Sequence, residues 1–197
     1  IHALRTGEGQ VVDSAMVDGS LSLMSFFYSL KEMGHWVDKR ESNLLDGFAH
    51  FYDTYECSDN KFLAVGSIEP QFYSELLDKL GIEEDKFRDQ HNKDLWSELK
   101  NIMSSKIKSK SRSEWIEIFK DSDACVSPVL SMEEAKKHPH NIERDAFINI
   151  DGFNQPNASP RYSVTKQEIK HNAKQVGADL DDICKEFNLS IDALKKT

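Results

Sequence analysis

Glu69 lies between an apolar run and a proline, in the segment AVGSIEPQFY. Pro70 keeps the preceding residue out of helical geometry and is itself suited to the first turn of a helix. We therefore expect the carboxylate at a helix N-terminus, where the positive end of the helix dipole favours its ionised form. Such an anion could orient or polarise a histidine. It could equally be only a favourable charge at a helix start, and the local pattern leaves both interpretations open.

The histidines and cysteines offer no second cluster with clear chemistry. Of seven histidines only His138 and His140 are close in sequence, and no third ligand lies at a useful spacing. No metal site is therefore predicted, and a helix-terminating turn is favoured there. Cys125, in an apolar segment, is interpreted as a packed small residue rather than a nucleophile. The sequence contains no GxGxxG, P-loop or GxSxG motif.

The composition predicts a globular protein with a real hydrophobic core. The chain has 197 residues, of which 39% are hydrophobic, and a net charge of −9. This charge argues against a broad surface for nucleic acid or anionic lipid, so neither partner is predicted.

Three widely spaced cysteines without a CxxC pair indicate free thiols in a reducing compartment. No segment reaches the ~18 apolar residues of a membrane span, and the C-terminal KKT is not a peroxisomal signal, so we predict a cytoplasmic location.

The residue pattern places Glu69 between a strand pair and a helix. Segments 51–55 and 61–67 predict two strands joined by a turn-rich connection. Residues 70–80 predict a helix that presents its apolar side chains on one face and ends at Gly81.

Further elements are predicted on both sides of this unit. Before it we expect a short strand at 9–13, an amphipathic helix at 14–31 and an extended connector at 32–55. After it we expect helices at 93–107, 111–120 (capped by Ser111 or Ser113), 179–187 and 190–194, an extended segment at 124–130, a capping box beginning at Ser131, a strand at 146–150 and a loop at 151–160.

Several stretches, taken in order, resemble the family III CoA-transferases and, within them, the α-methylacyl-CoA racemases. The most particular is AVGSIEPQFYSELLDKLGI, which contains Glu69. The others are RTGEGQVVDSAMVDGS (5–20), LLDGFAHFYDTY (44–55), EWIEIFKDSDACVSPVLSMEEA (114–135), HPHNIERDAFI (138–148), ASPRYS (158–163) and GADLDDICKEF (177–187). The resemblance spans nearly the whole chain.

The resemblance implies an α/β fold and an interlocked homodimer. Each subunit in this family has a large CoA-binding domain and a small α/β domain, which two linkers connect. On that template residues 1–20 end the large domain, whose N-terminal part is missing from this chain. Residues 21–55 would then form a linker, 56–150 the small α/β domain, and 151–197 the return linker with its C-terminal helices.

The resemblance also implies racemisation at the α-carbon of 2-methylacyl-CoA thioesters, in which the acyl-CoA is the substrate and no cofactor is needed. A histidine and an aspartate exchange the α-proton. Both would precede Ile1, so the chain alone is predicted to be inactive. The glutamate of the family's IEP motif, which hydrogen-bonds that histidine across the dimer interface, corresponds to Glu69. Met16 is a candidate residue of the acyl site, with core packing as the alternative, and His50, where related racemases often have proline, receives no role.

Two other functions stay open. A CoA-transferase of the same superfamily would work through an aspartyl-CoA anhydride, again with its aspartate before Ile1. The IEP glutamate and the nearby methionine favour the racemase over this alternative. The chain could also be a detached small domain that serves as a non-catalytic interaction module.

Overall fold

The computed structural model describes residues 1–190, which form two compact units. The first unit is Ile1–Val129, and the second begins at Leu130. The predicted domain borders near residues 20, 55 and 150 refer to the arrangement of a whole subunit and stay predictions. No helix among the described residues is long and apolar enough to cross a membrane.

A three-stranded antiparallel sheet organises the first unit. Strand β1 (Tyr52–Glu56) pairs with β2 (Phe62–Gly66), and β2 pairs with β3 (Val126–Pro128). Side chains alternate along β2, so that Leu63 faces the core and Ala64 the opposite side of the sheet. The predicted strand pair before Glu69 is confirmed, and the predicted extended segment contains β3.

Helices α4 to α6 build the core together with the sheet. The helices of the first unit are α1 (His2–Thr6), α2 (Met16–Leu23), α3 (Ser25–Glu32), α4 (Pro70–Leu80), α5 (Lys93–Ile107) and α6 (Arg112–Phe119), with a 3₁₀ turn at Asp85–Arg88. The helices predicted at 70–80 and 93–107 are confirmed at both ends, and the one predicted at 111–120 is one residue shorter at each end.

The core is rich in aromatic side chains. Trp96 and Trp115 are the largest fully buried residues. Their indole N–H groups donate to the main-chain oxygens of Gln90 (2.8 Å) and Ile107 (2.7 Å), so their burial leaves no ring nitrogen without a partner. Phe51 packs edge-on against Trp96. These contacts tie α5 and α6 to the segment that enters β1.

The predicted connector at 32–55 is only partly correct. Asn43, Ala49, His50 and Phe51 are buried in the first unit, and β1 begins at Tyr52. These side chains are buried because their packing removes apolar and aromatic area from water. The Gly, Asp and Asn residues in the same segment are typical of a connector and gave no sign of this burial. The second half of the segment therefore belongs to the folded core.

Residues 1–32 differ from the prediction in two ways. No strand forms at 9–13, because this exposed segment has no strand neighbour among the described residues. The helix predicted at 14–31 is divided at Met24 into α2 and α3. Near the division Ser25 Oγ donates to the carbonyl of Ser22, at 2.7 Å, and such serine bonds to the preceding turn bend helices.

The second unit contains short helices and one hairpin. Its elements are α7 (Met132–Lys137), α8 (Pro139–Glu143), β4 (Phe147–Ile150), β5 (Phe153–Pro156) and α9 (Leu180–Glu186). The predicted loop at 151–160 is wrong over 153–156, which pairs antiparallel with β4. Asp151 and Gly152 both have positive φ, as a two-residue hairpin turn requires. The capping box at Ser131 and the helix near 179–187 are confirmed. Of the helix predicted at 190–194, all but the first residue lies outside the described residues.

Candidate functional site

Glu69 is the N-cap residue of α4. Its backbone is extended (φ −74°, ψ 141°), and Pro70 takes the first helical position, as the Glu-Pro pair predicts. Its carbonyl accepts a hydrogen bond from the amide of Tyr73, at 3.0 Å, so the helix begins directly after it. The side chain is exposed and does not cap the helix. Among residues 1–190 no side chain or amide forms a hydrogen bond or ion pair with this carboxylate, which can therefore accept a donor from outside the chain.

Cys125 lies close to Glu69 and is exposed, so its predicted burial as a small core residue is wrong. Its carbonyl accepts the amide of Gly66, at 3.0 Å. Partial burial raises the pKa of the thiol, and the charges of Glu69, Asp123 and Glu75 raise it further. A thiol in this environment stays protonated near neutral pH and is a poor nucleophile.

A groove of about 460 Å³ crosses the face of the sheet that is turned away from the core. Small side chains line its centre, among them Thr54, Ala64, Gly66 and Ser127. Cys125 belongs both to this lining and to the surroundings of Glu69. Gly66 of the lining is also the last residue of β2, from which the chain leads to Glu69.

Among the described residues, no hydrogen bond, ion pair or ring contact joins Met16 to Glu69. Met16 is the first residue of α2 and is 88% exposed. Core packing, the alternative interpretation of Met16, is therefore not supported within this chain. Its place in an acyl site stays a prediction.

His50 is completely buried in the first unit. Its ring packs edge-on against Phe51, Tyr73 and Phe87. Burial lowers the pKa of His50 to about 4, with a further contribution from His91, so the ring is neutral at physiological pH. The histidine for which the sequence predicted no role is a core residue of the first unit.

The pair His138 and His140 lies at a helix boundary. His138 ends α7 and precedes Pro139, the first residue of α8. The predicted helix-terminating turn is thus confirmed. Within residues 1–190 no three His, Cys, Asp or Glu side chains are arranged to hold a metal ion.

Ser67 and Gln90 hold the main chain immediately before Glu69, and the sequence singled out neither residue. Gln90 donates to the carbonyls of Ser67 and Ile68, both at 3.0 Å. The only signal for Ser67 is its position directly after β2. Gln90 carries no signal, because the contact joins residues that are more than twenty positions apart.

Residues 1–180 match the family described as CoA-transferase family III. The chain belongs to this family. It is 41% identical over 189 residues to the alpha-methylacyl-CoA racemase of Mus musculus, an alignment that covers 94% of this chain and 49% of the mouse protein. It is 43% identical over 157 residues to the alpha-methylacyl-CoA racemase of Homo sapiens, covering 80% of this chain and 40% of the human protein. A CaiB/baiF CoA-transferase family protein of Caenorhabditis elegans is 29% identical over 158 residues, covering 79% of this chain and 44% of that protein.

Solved structures support the α/β fold of this family member. A CAIB/BAIF family protein from Brucella suis superposes with a TM-score of 0.71 at 16% identity, covering 94% of this chain and 50% of that one. Rv3272 from Mycobacterium tuberculosis gives a TM-score of 0.65 at 16% identity, covering 86% and 46%. At this identity the likeness concerns the fold alone, and it confirms the predicted α/β class. The chain spans about half the length of the curated relatives that it matches.

Proposed function

We propose that the protein to which this chain belongs is an isomerase that racemises the α-carbon of 2-methylacyl-CoA thioesters. The observation that carries the proposal is the identity of 41% and 43% to two proteins named alpha-methylacyl-CoA racemase. The identity to the relative named only as a CoA-transferase family protein is lower, at 29%. This difference favours racemisation over CoA transfer.

The chemistry requires two proton-transfer groups and a means of stabilising an enolate-like intermediate. The thioester carbonyl acidifies the α-proton, and a histidine and an aspartate on opposite faces act as acid or base according to direction. We propose that both belong to the part of the whole protein that precedes Ile1. The acyl-CoA is the substrate, and the proton exchange uses no resident cofactor.

Glu69 is the contribution of this chain to that chemistry. A carboxylate that hydrogen-bonds the histidine would hold the ring in one tautomer and stabilise the imidazolium that forms when it takes the α-proton. Two observations support this role: Glu69 stands at a defined helix start, and its carboxylate has no partner among the described residues. A carboxylate that was already paired within the chain could not bind the histidine without losing that partner.

We propose that the histidine belongs to a second copy in an interlocked homodimer. Helices α1, α2 and α3 have no buried residue. Within and beside these helices the first unit exposes large apolar side chains, including Val12, Met16, Leu23, Phe26 and Met33. Several large apolar side chains exposed along one segment favour an interface with another domain or chain. The large CoA-binding domain and the second subunit are the partners expected to cover it.

The proposal is tested by solvent-deuterium exchange into a 2-methylacyl-CoA, using full-length wild-type protein and Glu69→Gln. We expect the exchange rate to fall by about 10²-fold or more, since removal of the charge weakens general acid–base catalysis. Glu83→Gln removes an exposed carboxylate beyond the other end of α4 and is the matched control. Light scattering should show unchanged assembly for both variants. An unchanged exchange rate in Glu69→Gln would reduce Glu69 to a helix-start charge.

Two further arms separate the alternative functions. A CoA-transferase would move CoA to a free carboxylic acid and would not depend on exchange of the α-proton. The chain of 197 residues alone is expected to show neither activity. Measurable racemisation by this chain alone would contradict the placement of the proton-transfer pair before Ile1.

A further inference from the structure

We propose that Gln90 and Ser67 are positioning residues for Glu69. They fix the main chain immediately before it, so that the carboxylate projects from a rigid point at the start of α4. The inference rests on the proposed function of Glu69 and extends it to two residues that do not themselves touch the substrate.

Gln90 binds the connection between β2 and α4 with both protons of its amide. The side-chain nitrogen donates to the carbonyls of Ser67 and Ile68, each at 3.0 Å, and these are the last two carbonyls before Glu69. Only 7% of Gln90 is exposed, so water cannot easily replace these bonds. Its own carbonyl accepts the indole N–H of Trp96, at 2.8 Å, which ties Gln90 to the start of α5.

Ser67 anchors the same connection from two other directions. It is fully buried, and its amide donates to the carbonyl of Phe51, at 3.0 Å. Its hydroxyl donates to the carbonyl of Ala124, at 2.5 Å. Ser67 is therefore hydrogen-bonded to the segment that leads into β1 and to the segment that leads into β3, the two strands that flank β2.

The main chain is held on the other side of Glu69 as well. The carbonyl of Glu69 accepts the amide of Tyr73, and Pro70 restricts the backbone at the first helical position. The exposed carboxylate thus extends from a backbone whose neighbours are all bonded, while the carboxylate itself has no partner in the described chain. The fixed backbone sets the point from which this side chain reaches its donor, and a displacement of about 1 Å at such a point can cost about 10²-fold in rate.

The test compares full-length wild type, Gln90→Met, Glu69→Gln and the double variant by deuterium exchange into a 2-methylacyl-CoA. Methionine keeps the length of the side chain and removes both donors. We expect Gln90→Met to lower kcat by about 10- to 100-fold with KM within about threefold, because the loss concerns the transition state. In the Glu69→Gln background the same substitution should lower kcat no further, since it acts through a charge that is already absent.

A destabilised but correctly positioned variant is the matched control. Met103→Ala removes a fully buried side chain of α5, away from the connection. It should lower the melting temperature as much as Gln90→Met or more, while kcat stays close to the wild-type value. Ser67→Ala serves as the second positioning variant if Gln90→Met does not fold, and the same dependence on Glu69 is expected of it.

The possible outcomes distinguish the positioning role of Gln90 and Ser67 from the role of Glu69 itself. Wild-type kcat in both positioning variants, or an equal fall in the presence and absence of the Glu69 charge, would overturn the positioning role and leave the function of Glu69 intact. An unchanged exchange rate in Glu69→Gln would instead overturn the proposed role of Glu69, and the positioning role with it, while leaving racemisation by the whole protein in place.

Discussion

His50 and Tyr73 form a hydrogen bond inside the core of the first unit, with 2.6 Å between Nε2 and the phenolic oxygen. The hydroxyl of Tyr73 also donates to the carbonyl of Phe87, at 3.1 Å. Because a hydroxyl has one proton, His50 is the donor in the shared bond, and its proton is on Nε2. The other ring nitrogen, Nδ1, has no hydrogen-bond partner within residues 1–190. A second proton on this ring would therefore be buried without an acceptor.

We predict that the protein loses stability as the pH falls from 6.5 to 4. Burial, with a smaller contribution from His91, lowers the pKa of folded His50 to about 4, whereas the unfolded chain has the ordinary value of 6.5. Between these values the unfolded state binds the proton and the folded state does not, so the free energy of unfolding decreases with falling pH. The full difference is about 3 kcal/mol. Urea unfolding at several pH values between 7 and 4.5 measures it.

His50→Phe removes the titrating ring and should flatten this pH dependence. At pH 7 the variant should be less stable by about 1 kcal/mol, since one buried hydrogen bond is lost while Tyr73 keeps its bond to Phe87. Burial raises the pKa of Tyr73, so this hydroxyl stays neutral throughout the window. His35→Asn removes an exposed imidazole and is the matched control. An undiminished pH dependence in His50→Phe would refute the assignment.

We predict that Ser111→Ala destabilises the first unit by about 1 kcal/mol, because Ser111 caps α6. Its hydroxyl accepts the amide of Glu114, at 3.3 Å, and its own amide donates to the Glu114 carboxylate, at 2.8 Å. Helix α6 carries the buried Trp115 and Phe119, so loss of the cap weakens the core and not only the helix end. Thermal unfolding followed by tryptophan fluorescence gives the measurement.

Ser113→Ala is the control for the cap. The sequence alone left Ser111 and Ser113 as equal candidates, and Ser113 is an exposed residue inside the helix. Alanine is the better helix former there, so Ser113→Ala should be neutral or slightly stabilising. Equal losses from the two substitutions would mean that the capping contacts contribute no specific stability.

We predict that Cys125 is alkylated slowly near neutral pH and that Glu69→Gln increases the rate by about twofold. The raised pKa keeps the thiol protonated, and removal of one nearby negative charge lowers that pKa. The rate of reaction with iodoacetamide, followed by mass spectrometry, measures the effect. Cys57 and Cys184 are buried and provide slow internal references.

Two controls connect this change to Glu69 itself. Glu83→Gln removes another exposed carboxylate and should leave the rate at the wild-type value. Cys125→Ser should abolish the fastest phase. If Glu69→Gln did not alter the rate, the proximity of Glu69 and Cys125 would have no electrostatic consequence in solution.

Local sequence signals determined the elements that present the candidate site. Pro70 at the first helical position and Gly81 after the last residue predicted α4 at both ends, and Ser131 with Glu134 predicted the cap of α7. These signals act within one or two helical turns, so the neighbouring residues alone contain the necessary information. The same is true of the exposed, extended backbone at Glu69, since Pro70 imposes it.

The family followed from the same stretches, because ordered matches along most of the chain need no knowledge of contacts. Burial was harder to predict. His50 and Phe51 lie in a segment of turn-forming residues, yet both are completely buried. Only packing against α4 and α5 decides this, and packing depends on residues that are distant in sequence.

The sequence by itself thus determined which residue is offered at the start of α4, and the tertiary structure decided how firmly it is held. Gln90 reaches the carbonyls before Glu69 across more than twenty residues, and Ser67 reaches Ala124 across 57 positions. The strand predicted at 9–13 does not form, because a strand needs a neighbouring strand to bond its main chain, whatever conformation its own residues favour. Local chemistry selects conformations, but only long-range hydrogen bonding and burial select the partners that keep them.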